Sequence, residues 1–130
     1  MGVNVSQPAG AGTITETPTT LQSAAVATGN GTIISLNPGD VLTIKTVGAS
    51  TPTATITFEV SYDGTNYVNA FLQDMLAAGG IGTLINTVAV STTPAYSQYS
   101  CPPGSQKFRA RISAYVAGSV TVTVVQRSRA

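Results

Sequence analysis

From Thr55 to Ser61 apolar and polar residues alternate one for one. Ile56, Phe58 and Val60 fall on one side, and Thr55, Thr57, Glu59 and Ser61 on the other. A period of two predicts a strand with one buried and one wet face. Asp63-Gly64 follows, a dipeptide suited to the positive-φ turn of a hairpin, and Tyr67 to Phe71 forms the return. A two-residue turn would pair Val60 with Tyr67, Phe58 with Asn69 and Ile56 with Phe71. A three-residue loop would instead set Val68 and Ala70 on the inner face. The first register buries two aromatics and is the one expected.

The same alternation recurs near the end of the chain. Phe108, Ala110, Ile112 and Ala114 alternate with Lys107, Arg109, Arg111 and Ser113, while Val120, Val122 and Val124 alternate with Ser119, Thr121 and Thr123. A three-residue loop, Val116-Ala117-Gly118, would pair Ala114 with Val120, Ile112 with Val122 and Ala110 with Val124. It would also put Gly118 at the left-handed position that such loops need. Between these stretches lie shorter candidates: Leu21–Ala27, Thr32–Leu36, Val41–Thr46, Leu84–Val90 and Ala95–Cys101. Asn37-Pro38-Gly39-Asp40 separates two of them as a turn in which Pro presets φ and Gly takes the positive value. Val47 to Pro52 reads as a loop. Leu72 to Gly82 departs from the pattern and could hold one helical turn, with Asp74 as N-cap and Gly79 just past its end. Residues 1–20 have little periodicity and read as an extended N-terminal arm, leaving 21–130 as one domain. Short strands with turn signals every 8–12 residues predict an all-β fold, a single β-sandwich of jelly-roll-like form.

Composition sharpens this picture. Of 130 residues only 8% are charged, against about a quarter in ordinary domains, and twenty threonines and twelve serines take their place. Threonine suits strands, and a surface so short of charge offers little resistance to contact with other protein. A net charge of +1 gives no electrostatic case for nucleic acid, which needs a clustered basic face. No apolar run approaches the ~18 residues of a membrane span. The single cysteine, Cys101, rules out an internal disulfide and reads as a buried thiol beside Pro102-Pro103-Gly104.

Catalytic chemistry finds few residues to use. Without histidine, serine–histidine and cysteine–histidine pairs and the usual zinc sets are absent. The carboxylates are Glu16, Asp40, Glu59, Asp63 and Asp74. Asp40 and Asp63 suit turns, Asp74 a cap, Glu16 the arm, and Glu59 the outer side of a strand. A non-enzymatic protein without cofactor or metal is expected. Two stretches stand out as contact surface instead. Met75, Leu76, Ile81 and Leu84 lie in a segment with one charge. It reads either as a loop folded over the open end of the sandwich or as a seat for a neighbouring subunit. Arg109 and Arg111 lie on one outer face with Lys107, and Arg127 and Arg129 end the partner strand. They read as a solvated edge or as a stripe that orients an acidic partner.

The hairpin Glu59-Val-Ser-Tyr-Asp-Gly-Thr-Asn-Tyr67 resembles the Ser-x-Asp-Gly-x-x-aromatic hairpin of discoidin-type modules and of small structural proteins of tailed-bacteriophage virions. Tyr67 stands where discoidin modules usually carry tryptophan, and no cysteine pair brackets the domain. Leu36-Asn-Pro-Gly-Asp-Val-Leu-Thr-Ile44 and the ending Phe108 to Val124 are similar to the phage proteins. That resemblance implies a capsid decoration, or cement, protein of the virion. It would be a homotrimer made in the host cytoplasm, whose arm and apolar loop bind the major capsid protein or other virion proteins. The alternative it leaves open is a tail- or fibre-associated module that binds a receptor glycan, with Tyr62, Tyr96, Tyr99 and Tyr115 as exposed candidates and Tyr67 inside.

Overall fold

A computed structural model describes residues 14–75 and 83–129. They contain nine strands: β1 (Ile14–Ala25), β2 (Ile34–Ser35), β3 (Val41–Ser61), β4 (Tyr67–Asn69), β5 (Leu72–Asp74), β6 (Leu84–Ile85), β7 (Thr87–Ala89), β8 (Ala95–Ser100) and β9 (Lys107–Arg129). All pairings are antiparallel, in a main path β1-β9-β3-β8-β5-β6 with β2 on β9 and β4 and β7 on β3. The fold is all-β and sandwich-like.

Two long strands organise it. β3 and β9 run side by side over their whole lengths, Val41 opposite Arg127 at one end and Ser61 opposite Lys107 at the other. The register is interrupted around residues 50–52 and resumes beyond them. There Ser50 (φ 60°) and Thr51 (φ 55°) on β3, and Gly118 (φ 79°) on β9, take left-handed backbone. The first half of β3 pairs with β8, and the second half with β4 and β7. One pair of strands therefore serves both layers, bending where these residues sit. Between the layers lie Leu42, Ile44, Val120, Val122 and Val124 from one side and Ile56, Phe58, Val60, Phe108, Ala110 and Ile112 from the other, all buried. The Tyr99 ring from β8 meets Phe108 with centroids 5.6 Å apart, and Phe108 lies beside Phe58 at 6.2 Å.

This arrangement corrects several expectations. Val116-Ala117-Gly118 is not a hairpin loop: the chain continues through it as one strand, and Ala110, Ile112 and Ala114 pair with Phe58, Ile56 and Thr55 of β3 rather than with the closing valines. Ala114, expected inside, is exposed, because the register shifts between Thr55 and Ile56. Val47 to Pro52 is not a loop between strands but the bend within β3. In the Asp63-Gly64 hairpin Ser61 pairs with Tyr67, Val60 with Val68 and Glu59 with Asn69, so the register is the alternative one. Ala70 is buried, as that register requires, whereas Phe71 and Val68 are exposed and Tyr67 lies half-buried on the outer face. The reason is polar. Asp63 Oδ1 accepts the backbone N–H groups of Thr65 and Asn66 and the Ser61 hydroxyl, which holds a wider loop than a two-residue turn.

Residues 14–20, read as arm, belong to β1 and pair with residues 123–129. Residues 1–13 lie outside the described residues. Leu84–Val90 is split into β6 and β7 by Asn86, whose amide donates to the carbonyls of Phe58 (2.9 Å) and Ala70 (3.1 Å). Asp74 ends strand β5, and the helical turn expected after it lies outside the described residues, as do Leu76 and Ile81.

Candidate functional site

Side chains opposite one another on paired antiparallel strands share a face, so the pairings assemble the outer surface of the β1-β9-β3-β8-β5-β6 layer. One row runs Leu84, Gln73, Gln98, Thr43, Val125 and Pro18. On either side lie Ser100, Val41, Arg127 and Glu16, and Tyr96, Lys45, Thr123 and Thr20. The charges carried by these three rows are Lys45, Arg127 and Glu16. The exposed apolar side chains of this broad face include Leu84 (65%), Phe71 (55%), Ile14 (45%), Tyr96 (39%) and Val125 (39%). A cleft of about 280 Å³ at one end is lined by Phe71, Gln73, Leu84, Gln98 and Ser100. A second, of about 430 Å³, lies at the opposite edge between Ile14, Pro38, Gly39, Val41, Arg127 and Ser128.

The outer face of the other layer is charged and closed. Glu59 is buried on that face, and its Oε1 accepts Arg109 Nε at 2.7 Å and Arg111 Nε at 3.2 Å, with Arg111 Nη2 on Oε2 at 3.2 Å. The Arg109 guanidinium lies 3.8 Å from the centroid of the Tyr67 ring, a cation–π contact. Burial pushes the Glu59 carboxyl upward. The hydrogen bonds and positive charges of Arg111 and Arg109 outweigh it and hold the group below its usual range. Beside this cluster the Thr57 hydroxyl donates to Ser113 Oγ at 2.7 Å. Arg109 and Arg111 are therefore engaged within the face on which they lie.

Asp40 anchors a corner between the layers. Its Oδ2 accepts Gln126 Nε2 (2.6 Å) and the Asn37 N–H (2.9 Å), and its carbonyl accepts the Cys101 N–H (2.9 Å). The Cys101 thiol is buried, as expected. Its pKa is pushed up to about 12, first by burial and then by the Asp40 charge, so it stays a thiol. The backbone and side-chain donors of Asn66, with Thr65 and Ser61, hold Asp63 well below the usual carboxylate range. Among the described residues no three of Cys, Asp and Glu gather into a metal-binding group.

The structure separates the residues singled out by sequence. Met75, half-buried, and Leu84 lie at the β5–β6 end of the first layer. Arg127 is exposed on that layer's face several strands away, Arg129 pairs through its backbone with Ile14, and Arg109 and Arg111 are on the second layer. Of the tyrosines, Tyr62 and Tyr96 are exposed. Tyr99 is buried, and Tyr115 is half-buried with its hydroxyl donating to the Gly118 carbonyl at 2.6 Å. Sequence reasoning missed the exposed Phe71 and its neighbours Gln73 and Gln98, since it placed Phe71 inside the hairpin.

No family model and no curated protein matches the sequence. Two solved structures share its fold. SPBc2 prophage-derived protein YomS superposes with a TM-score of 0.72 at 18% identity, covering 89% of this chain and 96% of YomS. PBSX exported protein XepA superposes with a TM-score of 0.75 at 9% identity, covering 98% of this chain and 46% of XepA. The chain thus spans slightly less than half of XepA and nearly all of YomS.

Proposed function

We propose that this chain is a non-enzymatic structural protein of a phage virion that decorates and stabilises a capsid through subunit contacts. The observation that carries the reading is its likeness, over nearly the whole of both chains, to a prophage-derived protein. The broad face around Thr43, Gln98 and Val125 supplies the physical means. It is broad, short of charge and set with exposed apolar side chains, so a capsid subunit or a second copy can lie against it at little desolvation cost. Each 100 Å² of apolar contact contributes about 2.5 kcal/mol before the cost of association, and repetition over a shell multiplies a small term. Leu84 and Arg127 lie on this face, and Met75 lies at its β5–β6 end. The protein would assemble as a trimer and bind the major capsid protein.

The test is fractionation of particles from a phage that carries the protein, followed by binding of purified protein to undecorated heads. Presence on heads, with saturable rebinding, supports the proposal. Recovery with tails alone, or absence from particles, overturns it.

A further inference from the structure

We infer that the cleft between β5, β6 and β8 is a binding site for a neutral saccharide. The inference does not depend on the particle position proposed above. Phe58 and Phe108 fill the core, but the third phenylalanine, Phe71, is 55% exposed beside this cleft. Gln73 and Gln98 are direct cross-strand partners, so both side chains stand on the cleft side of the sheet, and both line it. Neither amide is engaged by a hydrogen bond among the described residues, in contrast to Gln22, Asn86, Gln106 and Gln126, whose amides all donate to protein oxygens. Ser100 adds a hydroxyl at the rim.

Each part matches one feature of a sugar ring. The aromatic face takes the apolar C–H side of the ring, and each amide offers a paired donor and acceptor to adjacent hydroxyls. Among the described residues none that lines the cleft is charged, so none of them compensates a carboxylate, phosphate or ammonium group. The site is a half-open cleft of about 280 Å³, just under the size of ordinary ligand sites, with room for a ring-sized group rather than a long chain. Leu84, 65% exposed and paired with Gln73, adds a second apolar side chain to the lining.

The experiment is a titration of isotope-labelled protein with gluco-, manno-, galacto- and N-acetylglucosamine-based oligosaccharides, and with sialylated and phosphorylated ones as charged probes. The side-chain amide resonances of Gln73 and Gln98 are followed. The expected result is that at least one neutral probe shifts both amides in a saturable way. Phe71→Ala should weaken that binding about tenfold, as the loss of an aromatic contact does, while Phe71→Trp retains it. Both substitutions are at an exposed position, so thermal melts should match the parent. The inference is overturned if no neutral saccharide moves these resonances, if only charged probes do, or if binding survives Phe71→Ala unchanged. Val125 lies on the same face but outside the cleft, so Val125→Asp, titrated with saccharide and tested on heads in parallel, separates the two proposals: it should keep saccharide binding while losing head binding.

Discussion

Glu59 is a carboxylate on the outer side of a strand, yet it is buried, because two arginines and Tyr67 close over it. The alternation of Thr55 to Ser61 placed it on that side correctly. It could not show the arginines, which come from a strand 50 residues later. The pairing has a pH signature. Because the folded carboxyl is held below its ordinary 4.5, its stabilisation is complete above that value and is lost as pH falls below it. Asp63, also depressed, adds a slope of the same sign. Glu59→Gln should therefore reduce stability at pH 7 by about 1–3 kcal/mol, leaving two guanidinium groups without their anion. It should also flatten the acid limb, measured by urea melts between pH 3 and 7. An unchanged acid limb in this variant would mean that the cluster contributes nothing. Phe58→Ala, fully buried against Phe108, should cost about 3–5 kcal/mol. Thr57→Ala loses one hydroxyl pair with Ser113 and should cost about 1 kcal/mol. A reversed ranking would mean the two faces of β3 had been exchanged.

At the scale of elements, strands were legible and their partners were not. Gly118 has the positive φ that its place among alternating valines suggested. That local conformation serves a hairpin loop or a bend equally well, and the choice is made by β3, whose own left-handed residues Ser50 and Thr51 lie at the same bend. No local pattern reports a register between strands so far apart in sequence. The bend also makes a quantitative distinction between glycines. A Cβ on Gly118 would lie 2.5 Å from Pro52 Cα and 2.6 Å from the Ala49 carbonyl oxygen, both backbone atoms that cannot swing away. A Cβ on Gly39, at a similar φ of 81°, would meet nothing within 4 Å. Gly39→Ala should thus lose only the backbone term, about 1 kcal/mol. Gly118→Ala should lose that and the clash as well, about 3 kcal/mol or more by chemical denaturation. Equal losses would show that the two long strands do not bend against each other at Pro52.

For the molecule as a whole, the fold class follows from alternation, threonine content and turn spacing, none of which needs partners to be known. The surfaces were harder to read, since a face is assembled by rows that cross four or more strands. Leu84, Gln98, Thr43 and Val125 are neighbours only through three long-range pairings and the short β5–β6 link. The basic residues near the C-terminus looked like one stripe in sequence, and the bend in β9 puts Arg109 and Arg111 on one layer and Arg127 on the other. This division makes the capsid proposal testable by a crossed pair of substitutions. Val125 is on the broad face and 39% exposed, so Val125→Asp should leave the melting temperature within a few degrees of the parent. Against an apposed subunit the new carboxylate would be desolvated without a partner, so saturable binding to undecorated heads should fall sharply. Arg109→Ala should do the opposite, lowering the melting temperature by removing the shortest contact of Glu59 while leaving head binding intact. If Arg109→Ala abolishes binding and Val125→Asp does not, the contact surface is the charged layer, and the broad face is ordinary solvent-facing sheet.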